Sequence, residues 1–236
     1  MRARGREAPA LSAPLVLGEG LTRIYGRPPR SRTALAEVDV VVWPEDRVAI
    51  VGPSGSGKST LLHLMAGLDQ PTSGRIEWPG LGPPDRPRPG RIGVCFQGPS
   101  LIPALSVLEN VALPAILAGR DVRSASAEPS RLLARFGLLD VSDRLPEQIS
   151  GGQAQRAALA RAFVGEPRLI LADEPTAQQD REGATQVLEG LIEEAERLGA
   201  AVVVATHDPR VADRMRIRWS LRDGRPSPRG VVASSR

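Results

Sequence analysis

The chain has 236 residues, 41% hydrophobic and 25% charged, which suits one generous domain or a main domain with a small insert. Its net charge is only +4 although the sequence pI is about 10.4, because arginine is plentiful and little else titrates at high pH, so the pI is no argument for nucleic acid and none is expected as a partner. The single cysteine, Cys95, excludes an internal disulfide, and no apolar run approaches the roughly 20 residues of a membrane-spanning helix.

The basic residues are dispersed, with modest concentrations at Arg2, Arg4 and Arg6, from Arg27 to Arg32 and from Arg214 to Arg218, and read as solvated or membrane-proximal surface. The arginine-rich start lacks the apolar core of a secretory signal, so a soluble, cytoplasmic chain is expected, and any membrane work needs spans from another polypeptide. Residues 1–13 read as a disordered leader. Leu15 to Tyr25 and Ala34 to Trp43 follow as short strands around a Pro/Arg-rich turn, which suggests an antiparallel β layer.

Arg47 to Val51, Ile92 to Phe96, Leu169 to Ala172 and Ala201 to Ala205 are compact apolar runs, the pattern of strands buried on both faces. Helices separate several of them, so an α/β core with a largely parallel sheet is predicted. Trp78 to Arg91 is crowded with proline and glycine and reads as a loop. From about Leu101 to Gln148 helical signals interrupt the strands, including the capping box Ser106-x-x-Glu109 and the leucine-rich Ser130 to Phe136; this is a helical insert. Between Asp180 and Gly199 the apolar positions recur at three- and four-residue steps, an amphipathic helix closed by glycine. Arg218 to Leu221 with the turn Asp223-Gly224 reads as a last hairpin before a flexible tail over 227–236.

Three motifs carry chemistry. Gly52-Pro53-Ser54-Gly55-Ser56-Gly57-Lys58-Ser59-Thr60 follows an apolar strand and opens a helix, the context of a phosphate-binding loop. Its glycines turn backbone N–H groups around the phosphates, Lys58 reaches the β and γ oxygens, and the Ser59 hydroxyl suits Mg2+. Leu169 to Glu174 is a strand ending in two carboxylates: Asp173 is placed to hold magnesium, directly or through water, and Glu174 to orient the attacking water. Ile149-Ser150-Gly151-Gly152-Gln153 opens a helix whose small, uncrowded N-terminus offers N–H groups, a hydroxyl and a positive dipole end to a second anion, besides being an ordinary cap. The two cradles serve one ATP only if they converge.

These motifs, with Gln97, Asp180 and Thr206-His207-Asp208, occur in the order that resembles the nucleotide-binding subunit of ABC transporters, over nearly the whole chain. The resemblance implies one ATPase domain over 14–226, with a helical subdomain inserted at about 101–150. It implies that Tyr25 stacks on adenine and that Gln97 contacts magnesium and the attacking water. Ser150 to Gln153 would meet the γ-phosphate held by a second copy, so two chains, in the simplest case a homodimer, sandwich two ATP molecules. His207 would contact the γ-phosphate and hold the catalytic geometry, and Asp180 would couple the two sites or cap the following helix.

Within the superfamily, Leu101-Ile102-Pro103, the run Val107 to Pro114 and Arg222-Asp223-Gly224-Arg225 are most similar to the lipoprotein-releasing and macrolide-exporter type. That type pairs with an integral-membrane permease at the cytoplasmic face of the membrane and drives export by mechanotransmission. A regulator of cell-wall hydrolases that transports nothing is the alternative; a soluble ATPase acting on DNA or ribosomes lacks the paired domains or coiled-coil insert it needs. The chain departs from the pattern twice: Gln179 stands where relatives usually carry leucine, which bears on communication between sites, and Trp78 to Arg91 is short and proline-rich where a surface helix is usual.

Overall fold

The computed structural model describes residues 13–82, 90–120 and 127–231, and side chains as far as residue 227. The expected leader, apart from residue 13, and the last residues of the expected tail lie outside them.

Buried on both faces, the apolar runs become the centre of a six-stranded sheet. Its strands are β3 (Arg47–Val51), β5 (Ile92–Cys95), β6 (Leu169–Asp173), β7 (Ala201–Thr206), β8 (Ile217–Arg222) and β9 (Arg225–Val231), parallel except for the β8–β9 hairpin. They lie in the order β5-β6-β7-β3-β8-β9. A second, antiparallel sheet sets β1 (Val16–Tyr25) between β2 (Arg32–Val42) and β4 (Ser73–Glu77). The sequence reading anticipates β1 and β2 and misses β4. It also places the tail too early: β9 runs to Val231, inside the segment from residue 227 onward that reads as flexible, because an edge strand accepts prolines such as Pro226 that a central strand would not.

The two-residue period of the strands sorts the core into two layers. Leu169 and Leu171 of β6, with Ala201, Val203 and Ala205 of β7, join Leu61, Leu62, Leu64 and Met65 of α1 (Lys58–Ala66) and the inner face of the antiparallel sheet. Ile170 and Ala172, with Val202 and Val204, point the other way. There they meet α2 (Val107–Leu117), α3 (Ala127–Arg135), α4 (Gly151–Phe163), α5 (Arg181–Leu198) and α6 (Pro209–Asp213). Helix α1 therefore sits between the two sheets, and the remaining helices cover the opposite face.

The expected helical insert is built by α2, α3 and single helical turns at Leu139–Val141 and Pro146–Gln148. The capping box forms: Ser106 Oγ accepts from the N–H of Glu109, and Glu109 Oε2 accepts from the N–H of Ser106. Fully buried Asn110 meets its own hydrogen-bonding demand by accepting from Ile102 N and donating to the carbonyls of Ile102, Leu105 and Ser106, so it fixes the chain leading into α2. Helix α4 lies so near β5 that a Cβ at Gly93 would stand 1.8 Å from the Ala162 carbonyl oxygen, a position only glycine can fill. Part of the proline-rich stretch is a turn at Pro79–Leu81, and residues 83–89 lie outside the described set, with any helix there.

A charged clasp joins the insert to the core. Glu194 of α5 is 3% exposed and receives both Arg131 Nη1 and Nη2, at 2.8 and 2.6 Å, and Arg197 Nε at 3.0 Å. Burial pushes the Glu194 carboxyl up, but the hydrogen bonds and charges of Arg131 and Arg197 outweigh it and hold the group below its ordinary 4.5. Removing one partner of a buried pair costs about 3–5 kcal/mol. Both arginines reach solvent here, so Glu194→Ala is expected to cost about 2 kcal/mol. That corresponds to a melting midpoint about 5 °C lower. Because the folded value is depressed, the stabilisation is present above 4.5 and is lost as pH falls through the still lower folded value. Thermal melts of the wild type and Glu194→Gln should therefore converge as pH drops below 4.5; a difference that does not shrink would show that the charge is not what stabilises the clasp.

Candidate active site

The loop between β3 and α1 opens the site. Gly57 adopts φ 101°, in the left-handed region that favours glycine, and as N-cap of α1 it supplies no side chain to the first turn. The α1 N–H groups are thus left facing outward with the positive end of the helix, and no acidic residue occupies the first turn. The Ser56 hydroxyl, 3% exposed, has no partner among the described residues. Lys58, 7% exposed, donates to the carbonyls of Gly52 at 2.8 Å and Pro53 at 3.1 Å. An ammonium has three donors, so one remains for a phosphate oxygen.

The carboxylates come from the neighbouring strand end. Asp173 closes β6 and is 7% exposed; burial pushes its carboxyl up, opposed by a hydrogen bond from the Ser59 side chain, while Glu174 adds to the rise. Glu174 follows with φ 48° and its N–H bonded to the Ala205 carbonyl at 2.9 Å, which carries its side chain across to the end of β7. There Oε2 accepts from the Thr206 hydroxyl at 3.2 Å, and Oε1 accepts from the His207 N–H at 3.1 Å. His207 Nδ1 stands 2.7 Å from the same Oε1. Since a carboxylate only accepts, the Nδ1 proton belongs to this contact and Nε2 faces away from it. The His207 side chain is 71% exposed, so the ring is held at one end and open to a ligand at the other.

Lys58, Ser59, Gln97, Asp173, Glu174 and His207, together with Ser54 and Gly55, line one open cleft of about 330 Å³. Two side chains of α4 hold the Gln97 segment: Gln155 Nε2 donates to the Phe96 carbonyl at 3.2 Å, and Arg161 donates to the Ser100 carbonyl at 3.0 Å and its hydroxyl at 2.8 Å. Cys95, at the end of β5, is 1% exposed and its thiol is pushed up by burial to about 12, so it is a core residue and not a nucleophile. His63 packs near the Phe96 ring, with centroids 6.0 Å apart.

Tyr25, Ser150 to Gln153 and Asp180 do not line this cleft. Tyr25 ends β1, with its hydroxyl donating to Asp69 Oδ2 at 2.8 Å and the Arg23 guanidinium 4.6 Å over its ring, itself bonded to Asp69. One face of the aromatic ring is thereby fixed and the side chain stays exposed. Arg23 and Asp69 are functional candidates that no motif announces. Ser150 caps α4: its Oγ accepts from Gln153 N at 3.1 Å, and Gln153 Oε1 accepts from Ser150 N at 2.9 Å. This leaves the N–H groups of Gly151 and Gly152 without intrahelical partners and the Ser150 hydroxyl proton free to be donated. Asp180 caps α5, accepting from Gly183 N at 2.7 Å. Thr60 lies half-buried within α1.

The donor set fits a hard divalent cation. The Ser59 hydroxyl, Asp173 carboxylate and Gln97 amide offer oxygen donors in one cleft, the kind Mg2+ takes when substrate phosphates complete its shell. Among the described residues no cluster of three or more His, Cys, Asp or Glu could hold a metal by itself.

Comparison with known proteins gives the same reading. The family model described as "ABC transporter" matches residues 35–177. The lipoprotein-releasing system ATP-binding protein LolD of Shewanella sp. (strain MR-7) is 44% identical over 197 residues, covering 80% of this chain and 85% of the relative. The macrolide export ATP-binding/permease protein MacB of Rhodopseudomonas palustris (strain HaA2) is 42% identical over 87% of this chain, which spans 32% of that longer protein. Among solved structures, the ATP-binding cassette MJ0796, dimeric in a post-hydrolysis state bound to ADP and Pi, superposes with a TM-score of 0.84 at 34% identity, covering 90% of this chain and 96% of the other. The family model spans more than half of the sequence, and the chain belongs to the ABC transporter family as one of its ATPase cassettes.

Proposed function

We propose that the chain hydrolyses MgATP as one of two identical cassettes and thereby powers an integral-membrane permease of the lipoprotein-releasing or macrolide-exporting kind. The observation that carries the chemistry is the Glu174 carboxylate, held on both oxygens by Thr206 and His207 at the wall of a cleft that also holds Lys58, Ser59, Gln97 and Asp173. Three of its roughly four acceptor sites are used by the protein, so one remains for a water molecule.

The phosphate chain lies against the Gly52 to Thr60 loop and the start of α1. Lys58 offsets charge on the transferring phosphoryl group. Ser59, Asp173 and Gln97 would hold Mg2+, which supplies charge neutralisation to the phosphate oxygens when bound. Glu174 orients the attacking water and takes its proton, and Gln97 lines the same cleft. His207 keeps Glu174 in place through Nδ1 and presents Nε2 to the γ-phosphate. Ser150 and Gly152 of a second copy donate from the start of α4 to the same phosphate, since their own cap leaves those donors free. Tyr25, steadied by Asp69 and Arg23, stacks on adenine.

Similarity to LolD and to MacB supports the exporter branch over a purely regulatory role. Among the described residues no helix is long and apolar enough to cross a membrane, so the cassette would reach the cytoplasmic face of the membrane through its permease.

Glu174→Gln is expected to lower ATP turnover by about 100-fold or more while the affinity for ATP changes little. Phosphate release and equilibrium nucleotide binding measured on one preparation decide this, and near-normal hydrolysis would remove Glu174 from the role of base. Tyr25→Ala should raise the half-saturating ATP concentration about tenfold, and Asp69→Ala about threefold, with kcat nearly unchanged, because each removes binding shared by ground and transition states. An effect of Asp69→Ala confined to kcat would contradict the base-stacking role. Affinity capture of the Glu174→Gln chain from native membranes with ATP and magnesium should recover a permease with few spans and a large outer domain. A many-span permease would overturn the branch, and a purely soluble partner would overturn the transport reading.

A further inference from the structure

Gln179 is held in place by its neighbours. Its side-chain amide spans two elements: Nε2 donates to the Gly152 carbonyl at 2.8 Å, and Oε1 accepts from Arg156 Nη1 at 3.2 Å. Both partners have fixed chemistry, since a carbonyl only accepts and a guanidinium only donates, so the amide has one satisfied orientation. The fit is close. A Cβ at Gly152 would stand 3.0 Å from the Gln178 carbonyl and 3.2 Å from the Gln179 amide, and one at Gly151 would stand 2.6 Å from Gln178 Oε1.

The loop that carries Gln179 begins at Glu174. It is wound into consecutive tight turns, with Ala177 N bonded to the Glu174 carbonyl at 3.1 Å and Gln179 N to the Thr176 carbonyl at 3.1 Å. A displacement at Gln179 therefore has little slack before it reaches the catalytic carboxylate, which is pinned at the other end by Thr206 and His207. Gly152 and Arg156 belong to α4, whose first residues face a nucleotide held by the second copy in the function proposed above.

We propose that Gln179 is a positioning residue. Through its two amide hydrogen bonds it fixes the distance between the start of α4 and Glu174 within one protomer, so that engagement of α4 with the second copy's nucleotide is transmitted to the protomer's own hydrolytic site. The inference rests on the two-copy reading.

Gln179→Leu puts an apolar side chain of comparable size in place of the amide and removes both hydrogen bonds. The test compares the full-length wild type, Gln179→Leu, Arg156→Met and the double variant in ATP titrations of phosphate release, with thermal melts alongside. ATP-driven dimerisation of Glu174→Gln and of Glu174→Gln/Gln179→Leu is followed by size-exclusion chromatography. For Gln179→Leu the expected result is a kcat about five- to tenfold lower, the effect of losing about one net hydrogen bond of alignment, with half-saturation kept within about twofold. The Hill coefficient, above one in the wild type, falls towards one, while the melting midpoint stays within about 2 °C. Arg156→Met shifts kcat the same way by less, and the double variant is no worse than Gln179→Leu, as expected of residues sharing one contact. An unchanged kcat and Hill coefficient, additive losses in the double variant, or a fall in kcat matched by a large fall in melting midpoint would each overturn the role. If Glu174→Gln stays monomeric with ATP, the two-copy reading itself fails and the inference falls with it; dimers with no effect of Gln179→Leu overturn the inference alone.

Discussion

The pairing of β6 with β7 sets the geometry on which the site depends. In this parallel ladder Asp173 stands opposite Ala205, so the next residue on each strand leaves the sheet at the same level. Glu174 then bonds the Ala205 carbonyl through its own N–H and finds Thr206 and His207 within reach of its carboxylate. A slip of one residue would turn Asp173 away from Ser59 and Glu174 away from β7 together, because successive side chains of a strand point to opposite faces. Burial enforces the register. Leu169 and Leu171 belong to one apolar layer, Ile170 and Ala172 to the other, and neither layer accepts an exchange of faces.

Helix α4 is the second constraint, and it serves both loops that flank the cleft. Gly93 lets it approach β5 until the helix backbone nearly touches the strand. From that position Gln155 and Arg161 hold the carbonyls around Gln97, while Arg156 and the Gly152 carbonyl hold Gln179. One rigid element thus carries the start that would face a second copy and two of the segments that shape its own cleft. The Glu194 clasp ties α3 to α5 on the same side of the sheet, so the helical layer is joined to the core by hydrogen-bonded charge as well as by apolar packing.

Much of this was legible because the physics is local. The buried strands announce themselves as short apolar runs, the phosphate loop is one continuous stretch from Gly52 to Thr60, and the caps at Ser150 and Asp180 are written in residues three positions apart. What stayed hidden depends on partners far along the chain. Strand β4 is short and mostly exposed, so it lacks the alternation that marks a half-buried strand. The prolines of β9 argue against a strand unless its edge position is known. Arg23 and Asp69 look like solvated charges, and only the fold brings Asp69 to Arg23 and to Tyr25, across 46 and 44 positions. Thr206 stands in the Thr206-His207-Asp208 motif with no role of its own legible in the sequence, although its hydroxyl donates to Glu174 and also accepts from the Asp208 N–H.

Charge balance at the cleft indicates what else the reaction must recruit. Its lining holds one permanent cation, Lys58, against two carboxylates, Asp173 and Glu174, with a histidine whose proton at Nδ1 is already committed to Glu174. A triphosphate would add several negative charges to a site whose ionisable side chains are already net negative, and at about 4 Å each unscreened pair of like charges costs about 4 kcal/mol at an effective dielectric of 20. The start of α1 offsets part of this, since a helix terminus carries about half a positive charge. A divalent cation on the phosphates and further donors would offset the remainder in the function proposed above. The start of α4, with two backbone N–H groups and a hydroxyl left free by its own cap, supplies donors of that kind but lies outside the cleft of its own protomer. In the proposed two-copy arrangement, nucleotide held by one copy stays incompletely neutralised until a second copy presents that surface, so the triphosphate itself would draw the two cassettes together.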